Sequence, residues 1–390
     1  MRKHLVFLCI SILLLVLSVG AVAEQPQAPP ATVTDLLDTA VPKRTAGYAT
    51  GFSTYSVGGL TVITVDQPWQ GATEEDRLVY VLYPRGSEAP EITGADAVIP
   101  VPVERIVTMS TTFLPHLEVL GALDTLVGVD SLAWVFSREV RAMGAEGRVA
   151  EIGSGPSVDI EIALALSPDV IMVNSYGGEW DAQPVLEAAG LPVVVLGDWV
   201  ETDPIGRAEW LVFTALLTGH FEEAVDYVEA RAQAYELVRG LAASAPDRPT
   251  VLVNAPYQGT WAVSGGASYA ARLIEDAGGD YVWADDDSTG SLFMDIESVF
   301  AEAGDADIWI NPGTWTSLAD GRAEDARFTA FAAFASGEVY NNNRRVTPAG
   351  GNDYHESGAI HPDDVLADLV NIFHPGTLES LPFLYYQKLQ

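Results

Sequence analysis

Aromatic side chains follow several of the predicted strands of this chain. In parallel α/β sheets ligands bind beyond the carboxyl ends of the strands, so these loops are the first place to look for a site. Rings on several such loops could clamp a flat or conjugated ligand, although each ring could equally serve internal packing. The candidates are Trp134, Tyr176, Trp199, Tyr257, Trp261 and Trp315.

Three consecutive hydroxyl residues offer a second kind of chemistry. Ser110, Thr111 and Thr112 follow a predicted strand and stand where a helix is predicted to begin. Their hydroxyl groups suit an oxygen-rich ligand, but the same groups could cap the free amides of the helix. The sequence leaves both roles open.

A pair of arginines interrupts a chain that is poor in positive charge. Arg344 and Arg345 lie in the long loop at residues 341–358, which also carries Tyr354. Guanidinium groups pair with carboxylates, phosphates and catecholate oxygens, so an anionic chelate is the matching ligand. Salt bridges to the abundant surface acids are the alternative.

Metal-binding and enzymatic signatures are weak. The histidines are scattered, and only His355 lies in a candidate loop, where it or Tyr354 could ligate haem iron. The sequence has no G-x-S-x-G elbow, no H-E-x-x-H helix, no P-loop and no dinucleotide-binding fingerprint. We therefore predict no catalytic residue, no bare-metal site and no resident cofactor, and we interpret the chain as a binding protein rather than an enzyme.

One phrase of the sequence occurs twice and indicates two related lobes. Asp159-Ile160-Glu161 precedes the strand-like residues 169–174, and Asp295-Ile296-Glu297 precedes the strand-like residues 307–311. Copies so far apart suit two domains of ordinary size better than a solenoid.

The predicted fold class is α/β. Short β-branched runs alternate with helical patterns after residue 103, which predicts two Rossmann-like lobes with mostly parallel sheets, joined by one long helix. Segments of alternating apolar and polar residues, separated by turn residues, predict a strand-rich insertion that extends one edge of the first lobe. The predicted divisions are a signal peptide (1–23), a flexible tether (24–46), an N-terminal lobe (47–219, with the insertion at 47–102), a connecting helix (220–248) and a C-terminal lobe (249–390).

The amino terminus predicts export. An apolar run behind Arg2 and Lys3 ends in Ala21-Val22-Ala23, as in a cleavable secretory signal, with a retained membrane anchor as the alternative. The only cysteine, Cys9, is not preceded by the small residues of a lipid-attachment site. We therefore expect a periplasmic or secreted protein that is not a lipoprotein and has no disulfide.

The net charge of the chain limits the classes of partner that it can bind. The formal net charge is −34, which would repel phosphate backbones, so nucleic acid is not expected as a partner. A salty habitat or a genomic bias in composition could each explain the acidity.

Several segments, taken in order, resemble the substrate-binding proteins of ABC importers for ferric siderophores, cobalamin and haem. They lie at residues 102–107, 120–129, 159–161, 166–171, 361–369 and 372–375. The resemblance implies a monomeric receptor that captures a metal chelate, above all a ferric siderophore, between its lobes. It further implies delivery to an ABC permease and its ATPase.

The same resemblance implies that Glu161 and Glu297 dock onto the permease. Each stands in the first turn of a predicted helix, where the helix dipole favours a carboxylate, although acids are common there for structural reasons alone. Cobalamin or haem as the ligand, an exported enzyme on the same scaffold and a binding protein without a transporter are the alternatives.

Overall fold

The computed structural model describes residues 31–43, 45–378 and 381–390, and it contains two sheets of mainly parallel strands. This confirms the predicted α/β fold. In spatial order, the N-terminal sheet consists of Ala150–Glu151, Leu126–Val129, Ile106–Thr108, Val170–Val173 and Val193–Val195. The C-terminal sheet consists of Asp280–Tyr281, Thr250–Val253, Ile308–Ile310, Val339–Asn341 and the antiparallel edge strand Gln387–Lys388.

Helices connect the strands of both sheets. Those of the N-terminal lobe are Leu114–Val119, Arg138–Ala145, Ile160–Leu166, Gln183–Ala188 and Pro204–Thr218. Those of the C-terminal lobe are Tyr269–Asp276, Ile296–Ala303, Leu318–Glu324, Ala332–Ser336 and Pro362–Phe373. The C-terminal lobe also carries a small antiparallel sheet of Pro256–Tyr257, Thr260–Ser264 and Ser291–Met294.

The repeated sequence phrase forms the same unit in both lobes. Each copy begins a helix whose cap is the aspartate of the phrase: Asp159 accepts the N–H of Ile162 at 3.0 Å, and Asp295 accepts the N–H of Ser298 at 2.7 Å. Each helix leads into a strand that pairs with the first parallel strand of its lobe. The internal similarity of the sequence therefore reflects an internal similarity of structure.

The connecting helix, Phe221–Ala242, has 22 residues and is about 33 Å long at 1.5 Å per residue. It packs against Pro204–Thr218 of the N-terminal lobe and Pro362–Phe373 of the C-terminal lobe. Its buried stripe recurs every three, four or seven residues, as expected of a helix covered on one side: Ala224, Val228, Ala232, Tyr235 and Ala242. The helix is thus fixed to both lobes along its length.

The predicted insertion forms a sheet of its own rather than an extension of the N-terminal sheet. Its strands are Val41–Pro42, Phe52–Val57, Leu60–Val65, Leu78–Pro84 and Ala97–Val101, and we call it the appended sheet. Ile63 and Tyr80 face the main core, whereas Val62 and Val81 face a second, smaller core. Because both faces are apolar, the strands form a separate layer that needs cover on each side.

The prediction of a flexible tether at residues 24–46 is wrong for residues 31–42. These residues form strand Ala31–Thr32, helix Val33–Thr39 and the first strand of the appended sheet. Leu36 and Leu37 pack on the outer face of that sheet, an apolar surface that the sequence alone does not reveal. The predicted signal peptide lies outside the described residues, and no helix within the described residues is long and apolar enough to cross a bilayer.

Candidate ligand-binding cleft

Two neighbouring cavities lie at the carboxyl ends of the strands. The aromatic cavity, about 330 Å³, is lined by N-terminal loops that include Ser110, Thr111, Trp134, Tyr176 and Trp180. The arginine cavity, about 240 Å³, is lined by Gln70, Trp199, Arg207, Ser264, Tyr269 and Ser291, among others. The rings of Tyr176 and Trp199 are 5.1 Å apart, so the cavities share an aromatic wall.

The aromatic cavity presents three large rings to solvent. Trp134, Tyr176 and Trp180 are 59%, 67% and 74% exposed. Such rings are normally packed away, so their clustering around one cavity is typical of a binding surface. Trp180 is absent from the predicted site, although its position in the loop after strand Val170–Val173 could have indicated it.

The three predicted hydroxyl residues show the capping role. The Ser110 hydroxyl accepts the N–H of Thr112 at 3.4 Å and lies 2.9 Å from the Thr112 hydroxyl, which is a capping arrangement. Ser110 and Thr111 nevertheless also line the aromatic cavity. They can therefore offer polar atoms to a ligand beside the rings.

Arg207 is the principal site residue that sequence reasoning missed. It lies on helix Pro204–Thr218, its Nε is 3.5 Å from an Asp198 carboxylate oxygen, and its guanidinium carbon is 5.1 Å from the centre of the Tyr269 ring. Burial raises the pKa of Asp198 and of Tyr269. The available signal was an arginine within a largely apolar helix, where a charge requires a partner or a function.

Tyr354 and His355 lie close enough to Arg207 for its charge to affect their titration. Burial raises the pKa of Tyr354, whose ring centre is 5.7 Å from that of Tyr386. Desolvation, followed by the charge of Arg207, lowers the pKa of His355 to about 4. The imidazole of His355 is therefore neutral at neutral pH and can act as a ligand to a metal.

The predicted roles of Trp261 and Trp315 in an aromatic clamp are wrong. Both side chains are buried in the core of the C-terminal lobe, at 0% and 2% exposure. The Trp261 indole N–H donates to the Val253 carbonyl at 2.9 Å, and that of Trp315 donates to a Glu324 carboxylate at 2.7 Å. Their rings surround Trp309 and stabilise the core instead of facing a ligand.

Tyr257 is exposed but stands away from the two cavities. It lies at the turn of the hairpin in the small C-terminal sheet, 76% exposed. Ser264, at the far end of the second hairpin strand, Thr260–Ser264, lines the arginine cavity.

The predicted arginine pair does not join Arg207. Arg345 binds Asp353 through Nε at 2.9 Å and lies over the ring of Phe136 at 5.2 Å. This is the salt-bridge alternative, and it lies in a third, separate cavity of about 570 Å³. The side chain of Arg344 is exposed, and its backbone N–H donates to the Tyr385 carbonyl at 3.0 Å.

A buried carboxylate links the two lobes at this third cavity. Glu356 of the C-terminal lobe accepts the backbone N–H groups of Phe136 and Ser137, at 2.6 and 2.7 Å, from the N-terminal lobe. Burial raises the pKa of Glu356 to about 7, and the nearby charges of Glu118 and Asp353 add to the shift, while the two backbone donors oppose it.

We expect Glu356 to make stability depend on pH. Its pKa rises from an ordinary value of 4.5 to about 7 on folding, so the folded protein binds this proton more tightly than the unfolded chain. The resulting stabilisation is complete below pH 4.5 and is lost as the pH rises through 7. Thermal unfolding across this range should show that the melting temperature of the native protein falls as the pH rises. Glu356→Gln should lack this fall, whereas the exposed control Glu146→Gln should retain it. Parallel profiles for the native protein and Glu356→Gln would contradict this prediction.

The two predicted docking residues are exposed at the starts of equivalent helices. Glu297 forms an ion pair with Arg327 at 2.5 Å, and Arg327 also binds Asp325 at 2.6 Å. No ion pair involving Glu161 is found within the described part of the chain. The two carboxylates thus occupy matching positions with different electrostatic surroundings.

No cluster of histidine, cysteine, aspartate and glutamate able to hold a metal ion is found among the residues that the structure describes. The cleft instead offers aromatic rings, hydroxyls and one arginine. Taken together, the fold and these side chains are those of a two-lobed binding protein.

The comparison with known families agrees with this class. Residues 106–343 match the family described as periplasmic binding protein, and the chain belongs to that family. The match spans both parallel sheets and the connecting helix. The chain is accordingly a binding protein.

Two curated relatives correct the predicted localisation. Both are uncharacterized lipoproteins of Methanocaldococcus jannaschii. One is 27% identical over 75% of this chain and 70% of its own length, and the other is 26% identical over 80% of each. The prediction that the chain is not a lipoprotein is therefore contradicted; it had relied on the residues before Cys9, which lies outside the described residues.

Solved structures of low sequence identity share the fold. A periplasmic heme binding protein from Pseudomonas aeruginosa is 20% identical with a TM-score of 0.55, covering 74% of this chain and 98% of that one. An ABC-type Fe3+-hydroxamate transport protein from Saccharomonospora viridis is 19% identical with a TM-score of 0.54, covering 70% and 94%. The molybdate periplasmic binding protein of Haemophilus influenzae is 19% identical with a TM-score of 0.56, covering 73% and 90%.

Proposed function

We propose that this protein captures a ferric chelate of the siderophore type between its lobes. The observation that carries the proposal is the pairing of two adjacent cavities, one rich in exposed rings and one containing Arg207. Rings provide contact area for the organic scaffold of a chelate, and a guanidinium group complements its anionic oxygens. The protein would be a monomer and need no cofactor of its own.

Delivery to an ABC importer is the second part of the proposal. Glu161 and Glu297 are exposed at matching positions, one on each lobe, and could each reach a basic residue of a permease that works with an ATPase. The relatives named as lipoproteins support a receptor that is anchored to the membrane by a lipid. An anchor of this kind would keep the receptor close to its importer.

The ligand-binding part is tested by titrating the protein with a ferric trihydroxamate and with a ferric catecholate. Tryptophan fluorescence measures the binding. We expect stoichiometric binding without turnover, and about fivefold weaker binding for Tyr176→Ala, because one stacking ring is worth about 1 kcal/mol. The control is Tyr48→Ala, which removes a tyrosine that is 40% exposed outside both cavities. Chemical conversion of the chelate would favour the enzyme alternative, and equal affinities for the two variants would exclude the aromatic cavity as the site.

Haem is a second candidate ligand because of one observation. His355 is neutral at neutral pH, with Tyr354 beside it at 5.1 Å between ring centres. Binding through His355 would give a haem absorption spectrum that changes in His355→Ala. A spectrum that is the same in both proteins would leave the ferric chelate as the ligand.

A further inference from the structure

Three parts of the fold meet at the arginine cavity. Trp199 and Arg207 come from the N-terminal lobe, Ser264 and Ser291 come from the small sheet of the C-terminal lobe, and Gln70 comes from the appended sheet. The appended sheet is therefore part of the cleft and not merely an addition to the back of a lobe.

The loop that carries Gln70 packs closely against glycine residues of both lobes. A Cβ atom at Gly197 would lie 2.5 Å from the Gln67 carbonyl oxygen, and one at Gly177 would lie 2.6 Å from the Trp69 indole nitrogen. On the opposite lobe, a Cβ at Gly290 would collide with the Gln70 amide. Gly197 leaves no room for a side chain beside a backbone carbonyl, and Gly177 also has a positive φ of 72°, so the loop has a defined position across the edge of the cleft.

Two nitrogen donors at this cavity are buried and make no hydrogen bond to any described residue. They are the indole Nε1 of Trp199 and the Nε of Arg207, which has only the ion-pair contact with Asp198 at 3.5 Å. Buried donors that make no hydrogen bond are rare in folded proteins, so two of them on one cavity are candidates to bind an acceptor. About a fifth of the Arg207 side chain remains accessible, and the residue is part of the cavity wall.

The acids near the cavity are already engaged. Glu201 accepts the backbone N–H groups of Thr50 and Gly51, at 2.8 and 2.7 Å, and the indole N–H of Trp210 at 3.1 Å. Asp198 accepts the Asn174 amide at 2.9 Å in addition to facing Arg207. The groups left to meet a ligand are therefore donors and hydroxyls, which favour an anion over a cation.

We propose that the arginine cavity is a subsite for an oxyanion, held by Trp199, Arg207 and Gln70. The oxyanion is either a carboxylate of an organic molecule or a free tetrahedral anion, since both supply oxygens to the same donors. The proposal deepens the proposed function, because the subsite adjoins the aromatic cavity through the Tyr176–Trp199 pair. It also gives the appended sheet a role, which is to complete the site with the amide of Gln70.

The test is a calorimetric titration of the full-length protein, without metal, using citrate in one arm and inorganic phosphate in the other. We expect saturable binding of one of them with a stoichiometry of one. If citrate binds more tightly, the subsite takes a carboxylate; if phosphate binds more tightly, it takes a tetrahedral anion. Trp199→Phe keeps a ring but removes one donor and should weaken binding about tenfold; Gln70→Ala should also weaken it.

The matched control is Trp283→Phe. It also deletes an indole N–H, but one that donates to Glu302 at 2.5 Å and is not part of the cavity wall. Its anion affinity should equal that of the native protein. The proposal is overturned if neither anion binds, or if Trp283→Phe weakens binding as much as Trp199→Phe does.

A parallel titration with a neutral ferric trihydroxamate separates this proposal from the proposed function. Chelate binding without anion binding would reject the subsite and keep the receptor function. Anion binding without binding of any ferric chelate would keep the subsite and reject the ferric-chelate function.

Discussion

Replacing Glu161 by arginine is expected to abolish uptake of the ligand by cells while leaving the affinity of the purified protein unchanged. The side chain is exposed on a helix start away from both cavities, so the substitution does not alter the cleft. If Glu161 contacts a basic residue of the permease, reversal places like charges together, and we expect a loss of about a hundredfold or more in docking affinity.

Glu297 should behave differently because it already has a partner on its own surface. A permease arginine must compete with Arg327, 2.5 Å from Glu297, whereas Glu161 lacks such a competitor among the described residues. Glu297→Arg should therefore reduce uptake less than Glu161→Arg, and Arg327→Ala should leave uptake intact or raise it.

Uptake of an iron-labelled chelate and binding to the purified importer measure both effects. The control is Glu91→Arg, which reverses an exposed charge outside the helix starts. Unchanged uptake in both the Glu161→Arg and the Glu297→Arg variants would reject the docking role.

Removing the carboxylate of Glu209 is expected to lower the free energy of unfolding by about 3–6 kcal/mol. Glu209 is fully buried and accepts three consecutive backbone N–H groups, from Gly47, Tyr48 and Ala49, at 2.8, 2.6 and 2.7 Å. These amides lead into the appended sheet. Glu209→Ala would leave all three without an acceptor, and each such loss costs about 1–3 kcal/mol.

Denaturant unfolding gives the global effect, and hydrogen exchange at residues 47–51 gives the local one. Exchange there should accelerate in Glu209→Ala. The control Glu146→Ala removes an exposed carboxylate that pairs with Arg148 at 2.9 Å, and such surface pairs are worth at most about 1 kcal/mol. Similar losses of stability in the two variants would show that the buried carboxylate does not anchor the appended sheet.

Local sequence signals mark the starts of some helices. Ile160–Leu166 and Ile296–Ala303 each follow a capping aspartate, and Pro362–Phe373 has proline at its first position. The helix Arg138–Ala145 was not predicted, although Ser137 caps it through its hydroxyl at 3.2 Å from the Val140 nitrogen.

The site was harder to predict from the sequence, because the sequence does not distinguish an aromatic residue exposed in a loop from one buried in the core. Trp134 and Tyr176 are exposed, whereas Trp261 and Trp315 are buried. Arg207 lies in the first turn of helix Pro204–Thr218, whose other residues are all buried, and only the packing of three separate parts of the fold places it beside Trp199 and Gln70.

The sequence by itself determined the α/β class, the internal repeat and the long helix between the lobes. These depend on the period of apolar residues and on capping, which act over a few neighbouring residues. Only the tertiary structure decided which rings face solvent, which acids are already occupied and which donors lack an acceptor. Those properties arise from contacts between residues far apart in the chain, as Glu356 with Phe136 and Gln70 with Gly290 show, and no local pattern encodes them.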